Sequence, residues 1–359
     1  GQPIPLTKSH IVRLAYRADD HGSLLALQSN GGRLYVVRIA ADDVAGDHPI
    51  ITELPQPRGA VTALALDALL ENLYVGTADG QVVHVALSET EPPEMRAAYT
   101  VAAPSTAVTA LGFLSGDRSL VVMSEDGAVL TWGLVRRADA PSGWTLTQIH
   151  TLRAHNAPVT AFAPSQRVKG FVTGDMKGNL FLHHATSSQT LLRLANSEFP
   201  IRAVAFAPKG DGLIALDGAG QLSLYQVQNA YPEVTLETLF GKVWYEGYDQ
   251  PAHVWQSSSG SDDVEPKLGL LPLAFGTLKG TMYALFLAVP IAILAAMCTS
   301  QFMHQDLRAK IKPIIEVMAA LPTVVLGFLA GLWLAPLLER MLPEVAGMAL
   351  VLPLLIVVA

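Results

Sequence analysis

The sequence predicts an all-β propeller of at least five blades, followed by an all-α, polytopic membrane-spanning domain. Three observations predict it. A turn glycine followed by alternating apolar residues recurs five times at near-regular spacing. Each copy is preceded by two short apolar strands. Beyond residue 272 the chain changes to long, nearly charge-free runs. The 359 residues are 50% hydrophobic and only 15% charged, against about 25% charged in an ordinary soluble domain. Nearly all the charge lies before residue 270. The net charge of −7 gives no support for nucleic-acid binding, which asks for a basic surface.

The five turn glycines are Gly32, Gly80, Gly127, Gly178 and Gly220, spaced 48, 47, 51 and 42 residues apart. Upstream of each lies an apolar strand: 11–16, 61–66, 108–113, 159–162 and 201–206. A second strand comes just before each turn, as in Leu73 to Gly76 and Leu120 to Met123. Asp79-Gly80 and Asp126-Gly127 are strong tight-turn signals, because such turns need positive φ and glycine carries no Cβ. A repeat of about 40–50 residues with three or four strands is the size of one propeller blade. The stretch His155, Asn156, Ala157, Pro158, Val159 resembles the opening of a WD40 repeat, and Trp132 falls near a strand end as in those repeats. One copy keeps the histidine, so the expected fold is a degenerate, WD40-like propeller over residues 1–240. The sequence opens on Gly1 and ends at Ala359 inside an apolar run. It is read as a piece of a longer chain, with one or two further blades expected upstream.

Catalytic and metal sites are not expected. The phosphate-binding loop Gly-x4-Gly-Lys-Ser/Thr, the Gly-x-Ser-x-Gly elbow and His-Glu-x-x-His are all missing from the sequence. Gly218-Ala219-Gly220 precedes a strand rather than a helix, so it reads as a turn and not a dinucleotide loop. His183 and His184 are strand neighbours and point to opposite faces, which argues against a shared metal. Asp19-Asp20 and Asp262-Asp263 lack the alternating carboxylates of a calcium loop. Cys298 is the one cysteine, which excludes an intramolecular disulfide. No cofactor is expected.

Residues 241–272 read as a junction. The membrane domain is expected over 273–359, with spans at 273–299, 313–338 and 345–359, each near the ~20 residues that cross a bilayer core or cut short. Polar breaks are expected at 300–312 and 338–344. Arg308, Lys310 and Lys312 occupy the first break; the second holds Arg340 between two acids, Glu339 and Glu344. The positive-inside rule puts 300–312 in the cytoplasm and the propeller in the periplasm. Pro290, Pro322 and Pro353 fall within spans, where neighbouring helices can satisfy the freed carbonyls. Gly327 and Gly331 form a small-residue pair for close helix packing. Glu316 is the one acid inside an expected span, a position that suggests function by default, although it lies near the cytoplasmic end and can reach the interface.

The run from Leu271 to Leu278, with Gly276-Thr277, leads into Ala288-Val289-Pro290. Then follow Leu307-Arg308, Lys312-Pro313, Ile315-Glu316 and Ala319 through Pro322 to Gly327. This string resembles the phosphate ABC-transporter permeases of the PstC type. They carry Gly-Thr at the start of the second span and Ile-Glu-x-x-Ala-Ala-x-Pro-Ser-x-Val-x-Gly in the third; Thr323 stands where Ser is usual. The resemblance covers about residues 270–359, and Lys242 to Tyr248 with Val254-Trp255 resembles the junction of long members. It implies a transport subunit, not an enzyme, in the inner membrane and in contact with its lipid. Its implied partners are a sister permease, a cytoplasmic ATPase and a periplasmic phosphate-binding protein. The substrate path and the ATPase-coupling loop would lie beyond Ala359. The alternative is a membrane-bound periplasmic sensor or scaffold that uses the propeller for protein contacts.

Overall fold

The computed structural model describes residues 10–358 except 21, 41–48, 89–90, 139, 141–142, 196, 229 and 259–263; Asp262-Asp263 and Gly1 lie outside the described residues. The chain divides into two compact units, residues 1–276 and 277–359.

The first unit holds five consecutive antiparallel meanders. The first sheet is β1 (Ile11–Asp19), β2 (Gly22–Ser29), β3 (Leu34–Ala40) and β4 (Ile50–Glu53). The second is β5 (Val61–Leu66), β6 (Asn72–Thr77), β7 (Gln81–Ala86) and β8 (Glu94–Thr100). The third is β9 (Val108–Phe113), β10 (Ser119–Ser124), β11 (Val129–Arg136) and β12 (Trp144–Thr151). The fourth is β13 (Val159–Pro164), β14 (Gly170–Asp175), β15 (Asn179–His184) and β16 (Gln189–Ala195). The fifth has three strands, β17 (Ile201–Phe206), β18 (Gly212–Asp217) and β19 (Leu222–Gln226). Each strand expected upstream of a glycine is the first strand of a sheet. The first strands of successive sheets pack on one another, β1 on β5, β5 on β9, β9 on β13 and β13 on β17. Among the described residues no strand pairing joins the fifth sheet to the first, so the blades form an open row.

Four apolar clusters fill the four gaps between neighbouring sheets. Leu24, Val36, Leu73 and Val85 belong to the first, for example, and Val172, Leu180, Ile201 and Leu213 to the last. At the two ends of the row the corresponding surfaces are open. Val12, Leu14 and Tyr16 on β1 are exposed, as are Leu222 and Leu224 on β19.

All five turn glycines have φ between 81° and 84°. Gly80, Gly127 and Gly178 also lie against the loop that leads to the next sheet. Their carbonyls accept from the N–H of Val101, His155 and Ser197. Two further features repeat in all five sheets. Each second strand ends in a buried polar residue, Ser29, Thr77, Ser124, Asp175 or Asp217, whose side chain bonds to its own turn: the Asp175 carboxylate accepts from the N–H of Lys177 and Asn179. Each first strand carries one extra residue just after its start, Val12, Thr62, Thr109, Thr160 or Arg202. Such a bulge bends the strand and increases its twist. It also turns polar groups toward the adjacent sheet. Thr160 Oγ1 donates to the Ile201 carbonyl at 2.6 Å, and Arg13 Nε donates to the Thr62 carbonyl at 2.8 Å.

His155 is buried in the fourth sheet. It bonds Asp175 through Nδ1 at 3.0 Å and Thr173 through Nε2 at 2.7 Å, and it stacks on Phe181. Thr173 in turn bonds His183. The opening histidine therefore ties the loop before the sheet to the strand end.

The second unit is helical, and α2 crosses the division. It runs Leu271–Met297 and continues as a π-turn over Cys298–Phe302. Then come α3 (Gln305–Ala320), α4 (Thr323–Leu329), a π-turn over Ala330–Leu334 and α5 (Ala335–Val358). The five-residue α1 (Leu236–Phe240) precedes them in the first unit. Two expected breaks differ from this. Most of 300–312 is helical in α3, and 338–344 lies inside α5 without interruption. The break falls instead at Leu321-Pro322, where Leu321 is extended, as the residue before a proline prefers. Among the described residues two helical stretches, Leu271–Phe302 and Thr323–Leu342, are long and apolar enough to cross a bilayer.

The turn glycines give a graded prediction. At Gly220 an added Cβ meets open space; at Gly178 it would run into the Ser197 carbonyl. Gly220→Ala should cost about 1–2 kcal/mol, the penalty of a left-handed residue. Gly178→Ala should cost about 3–4 kcal/mol, since overlap with fixed backbone adds to that strain. Urea unfolding of the detergent-solubilised chain, followed by tryptophan fluorescence, measures both.

Candidate functional site

The residues expected to matter in the membrane domain lie along the helices and do not converge. Gly276 and Thr277 are in the first two turns of α2 and Pro290 is in its second half. Glu316 is in α3, Pro322 caps α4, Gly327 is in α4 and Gly331 is in the following π-turn. A Cβ at Gly276, Gly327 or Gly331 would meet nothing within 4 Å. The surface at Gly327 and Gly331 is thus open to close approach by another helix. Arg308 donates to the carbonyls of Thr299 and Ser300, so it caps the end of the first apolar segment, where a cation is favoured.

Polar groups do converge in the first unit, at the segment expected to be a junction. Residues 242–258 and 264–268 are folded onto the third and fourth sheets. Val243 and Ala252 form a bridge, and β20 (Trp255–Gln256) pairs with β21 (Lys267–Leu268). Glu246 is the anchor. One carboxylate oxygen accepts from Ser119 Oγ at 2.6 Å and the other pairs with Lys169 Nζ at 2.6 Å. Lys169 also donates to the Ser115 carbonyl. Glu265 accepts from Thr186 Oγ1 at 2.5 Å and from the Glu246 N–H. Lys267 lies over the rings of Tyr245 and Tyr248, 5.9 and 5.8 Å from their centroids, within cation–π range. Tyr245 is among the largest fully buried side chains.

This segment and the second to fourth sheets enclose a cavity of about 310 Å³, lined by Tyr74, Phe113, Trp132, Trp144, Tyr245 and Lys169 among others. The buried Trp132 Nε1 has no hydrogen-bond partner among the described residues. Reading along the chain missed this cluster, because Glu265 and Thr186 are 79 residues apart and Glu246 and Ser119 are 127 apart. The one available signal was the dense run of aromatic and charged residues from Lys242 to Tyr248.

His183 and His184 are both buried, and their partners differ. His183 bonds Thr173 and Thr190; His184 bonds Ser187. Burial holds the pair neutral, His183 down to about 3 and His184 to about 4. Among the described residues no group of three potential metal ligands occurs. Gly218 and Gly220 form the β18–β19 turn. Asp19 ends β1 and accepts from the Gly22 N–H.

Burial, and then the negative charge of Glu246, push the Glu265 carboxyl up to about 7. A raised carboxyl favours the fold while it is protonated. Its contribution is complete below about 4.5 and is lost as pH rises through 7. The thermal midpoint of the first unit should therefore fall by a few degrees between pH 5 and pH 8. Glu265→Gln, which stays neutral and keeps an acceptor, should remove that fall, as differential scanning fluorimetry at both pH values would show.

Comparison with known proteins gives one partial sequence match. No family model matches the chain. A probable ABC transporter permease protein of Bacillus subtilis (strain 168), YqgH, is 30% identical over 78 residues, 22% of this chain. The chain spans a quarter of the length of that relative. Solved β-propellers resemble it distantly. The WD40 propeller domain of Doa1 aligns with a TM-score of 0.46 at 18% identity, over 62% of this chain and 67% of that one. The propeller domain of Cps50 (Swd1) from Myceliophteria thermophila aligns at 0.47 and 16% identity, over 58% and 68%. The chain is thus similar in part to an ABC transporter permease, and its apolar helices mark it as a membrane protein.

Proposed function

We propose that the chain is part of the permease subunit of an ATP-binding cassette importer and that its substrate is inorganic phosphate. The observation that carries this reading is the 30% identity to a probable ABC transporter permease over 78 residues. The order and spacing of Gly276-Thr277, Pro290, Glu316, Pro322 and Gly327 on apolar helices support the same reading, and phosphate comes from that motif string alone. In this reading the permease is not itself an enzyme. ATP hydrolysis belongs to a cytoplasmic partner subunit, and alternating access follows from rocking of these helices against a sister permease. Arg308, Lys310 and Lys312, now on α3, still concentrate positive charge after the first span, which favours a cytoplasmic α3 and a periplasmic first unit. A periplasmic phosphate-binding protein would then deliver substrate on the side of the β-sheets.

Radiolabelled phosphate uptake tests this reading in cells that lack their own high-affinity phosphate permease and carry the full-length gene. The expected result is uptake that requires the partner ATPase. No uptake, with the protein verified in the membrane beside its partners, would contradict phosphate transport and turn attention to another oxyanion, then to the sensor or scaffold alternative.

A further inference from the structure

The segment just before α2 presents an apolar surface that nothing in the first unit covers. Tyr231 is 74% exposed, Val234 43%, Leu236 78% and Phe240 52%. Leu236 and Phe240 are four residues apart on α1, so they share one face of the helix. The arrangement is built rather than frayed. Thr235 and Thr238 form a reciprocal capping box at the start of α1, and Thr238 Oγ1 donates to the Glu233 carbonyl at 2.7 Å. Ser187 Oγ holds the Pro232 carbonyl at 3.1 Å. The buried side of the helix is polar and satisfied, while the apolar side faces outward.

The position of this surface identifies its occupant. The Leu239 carbonyl, in the last turn of α1, accepts from the N–H of Leu270 at 2.8 Å, and Leu270 immediately precedes α2. The N–H of Gly269 donates to the Val254 carbonyl, which brings Trp255, 40% exposed, beside the same strand end. The continuous helical stretch Leu271–Phe302 has 32 residues, about 48 Å at 1.5 Å per residue. Tilted by about 20°, the average for membrane spans, it reaches across a bilayer with both headgroup layers, about 40–45 Å. The first residue of α2, Leu271, therefore lies at headgroup level, and α1 is fixed to it by one backbone hydrogen bond. Exposed tyrosine and tryptophan beside a span end are the residue types that favour this layer, and a short apolar helix face buries a few ångströms into it.

We infer that α1 and its flanks are a membrane-interface anchor: Leu236 and Phe240, with Tyr231, Val234 and Trp255 nearby, insert into the headgroup and upper acyl region of the bilayer that α2 spans. The inference rests on the reading of α2 as a membrane span.

Site-directed spin labelling tests this with the full chain in phosphatidylcholine–phosphatidylglycerol nanodiscs. On a Cys298→Ala background, single Leu236→Cys, Phe240→Cys, Phe286→Cys and Met176→Cys variants are labelled, and accessibility to oxygen and to a water-soluble nickel complex is read by power saturation. All four side chains are more than half exposed, so the label replaces no core packing. The expected oxygen-to-nickel ratio is lowest at 176, highest at 286 in the middle of α2, and several-fold above the 176 value at 236 and 240. Labels at 236 and 240 as nickel-accessible as that at 176, with 286 deep in lipid, would overturn the anchor while leaving the span intact. A water-accessible label at 286 would overturn the span and the anchor with it.

Discussion

A buried ion pair between Lys169 and Glu246, with the Glu265 carboxyl bonded to the Glu246 N–H beside it, holds the junction in place. Removing charge from water costs several kcal/mol per ion; Lys169 and Glu246 meet that cost by pairing and by filling their remaining hydrogen bonds, and Glu265 avoids it by staying protonated until pH rises through about 7. Ser119, Thr186, the Ser115 carbonyl and the Glu246 N–H each supply one bond. The cluster joins residues from the third and fourth sheets to both ends of the junction. Loss of either member of the Lys169–Glu246 pair would leave the other charge uncompensated. Lys169, Glu246 and Glu265 also line the cavity beside Trp132, and β21, which pairs with β20, begins two residues after Glu265.

The chain is otherwise divided between two solvents. In the sheets, burial does the work: apolar clusters between successive blades are nearly inaccessible, and the buried polar groups at strand ends bond to their own turns. In the helices the pattern is reversed. Leu285, Phe286, Ile291, Val324 and Phe328 are all exposed, and among the described residues no side chain of α2 or α4 is buried. Such surfaces are stable against lipid or against further helices, which agrees with the partial similarity to an ABC permease. Open glycine positions at 327 and 331 would let one such neighbour come close.

Much of the β architecture was legible from the sequence because one residue type marks it. A turn with φ near +80° tolerates little but glycine, so the five glycines and their spacing located each of the five meanders but not the β20–β21 pair. The bulges at Val12, Thr62, Thr109, Thr160 and Arg202 were not legible, since an extra residue in a strand changes no composition. The Lys169–Glu246–Glu265 cluster was hidden by sequence separation. In the helical part, the polar residues at 338–344 suggested a turn. Arg340 and Glu344 are instead one helical turn apart within α5, a spacing that supports a continuous helix. The proline at 322 broke the helix where 313–338 had read as one span.

The account stands most directly on the ion pair between Lys169 and Glu246. Lys169→Met keeps the length of the side chain and removes its charge. Amide hydrogen exchange of the full chain in lipid nanodiscs, compared with and without this substitution, reports on the junction separately from the blades. The account predicts faster exchange over 242–258 and 264–270, consistent with a loss of about 3–5 kcal/mol for a broken buried pair, and unchanged protection in the first and second sheets. Unchanged exchange at Glu246, Ala252 and Gly269 would contradict it, and would mean that the junction is held by its aromatic packing alone.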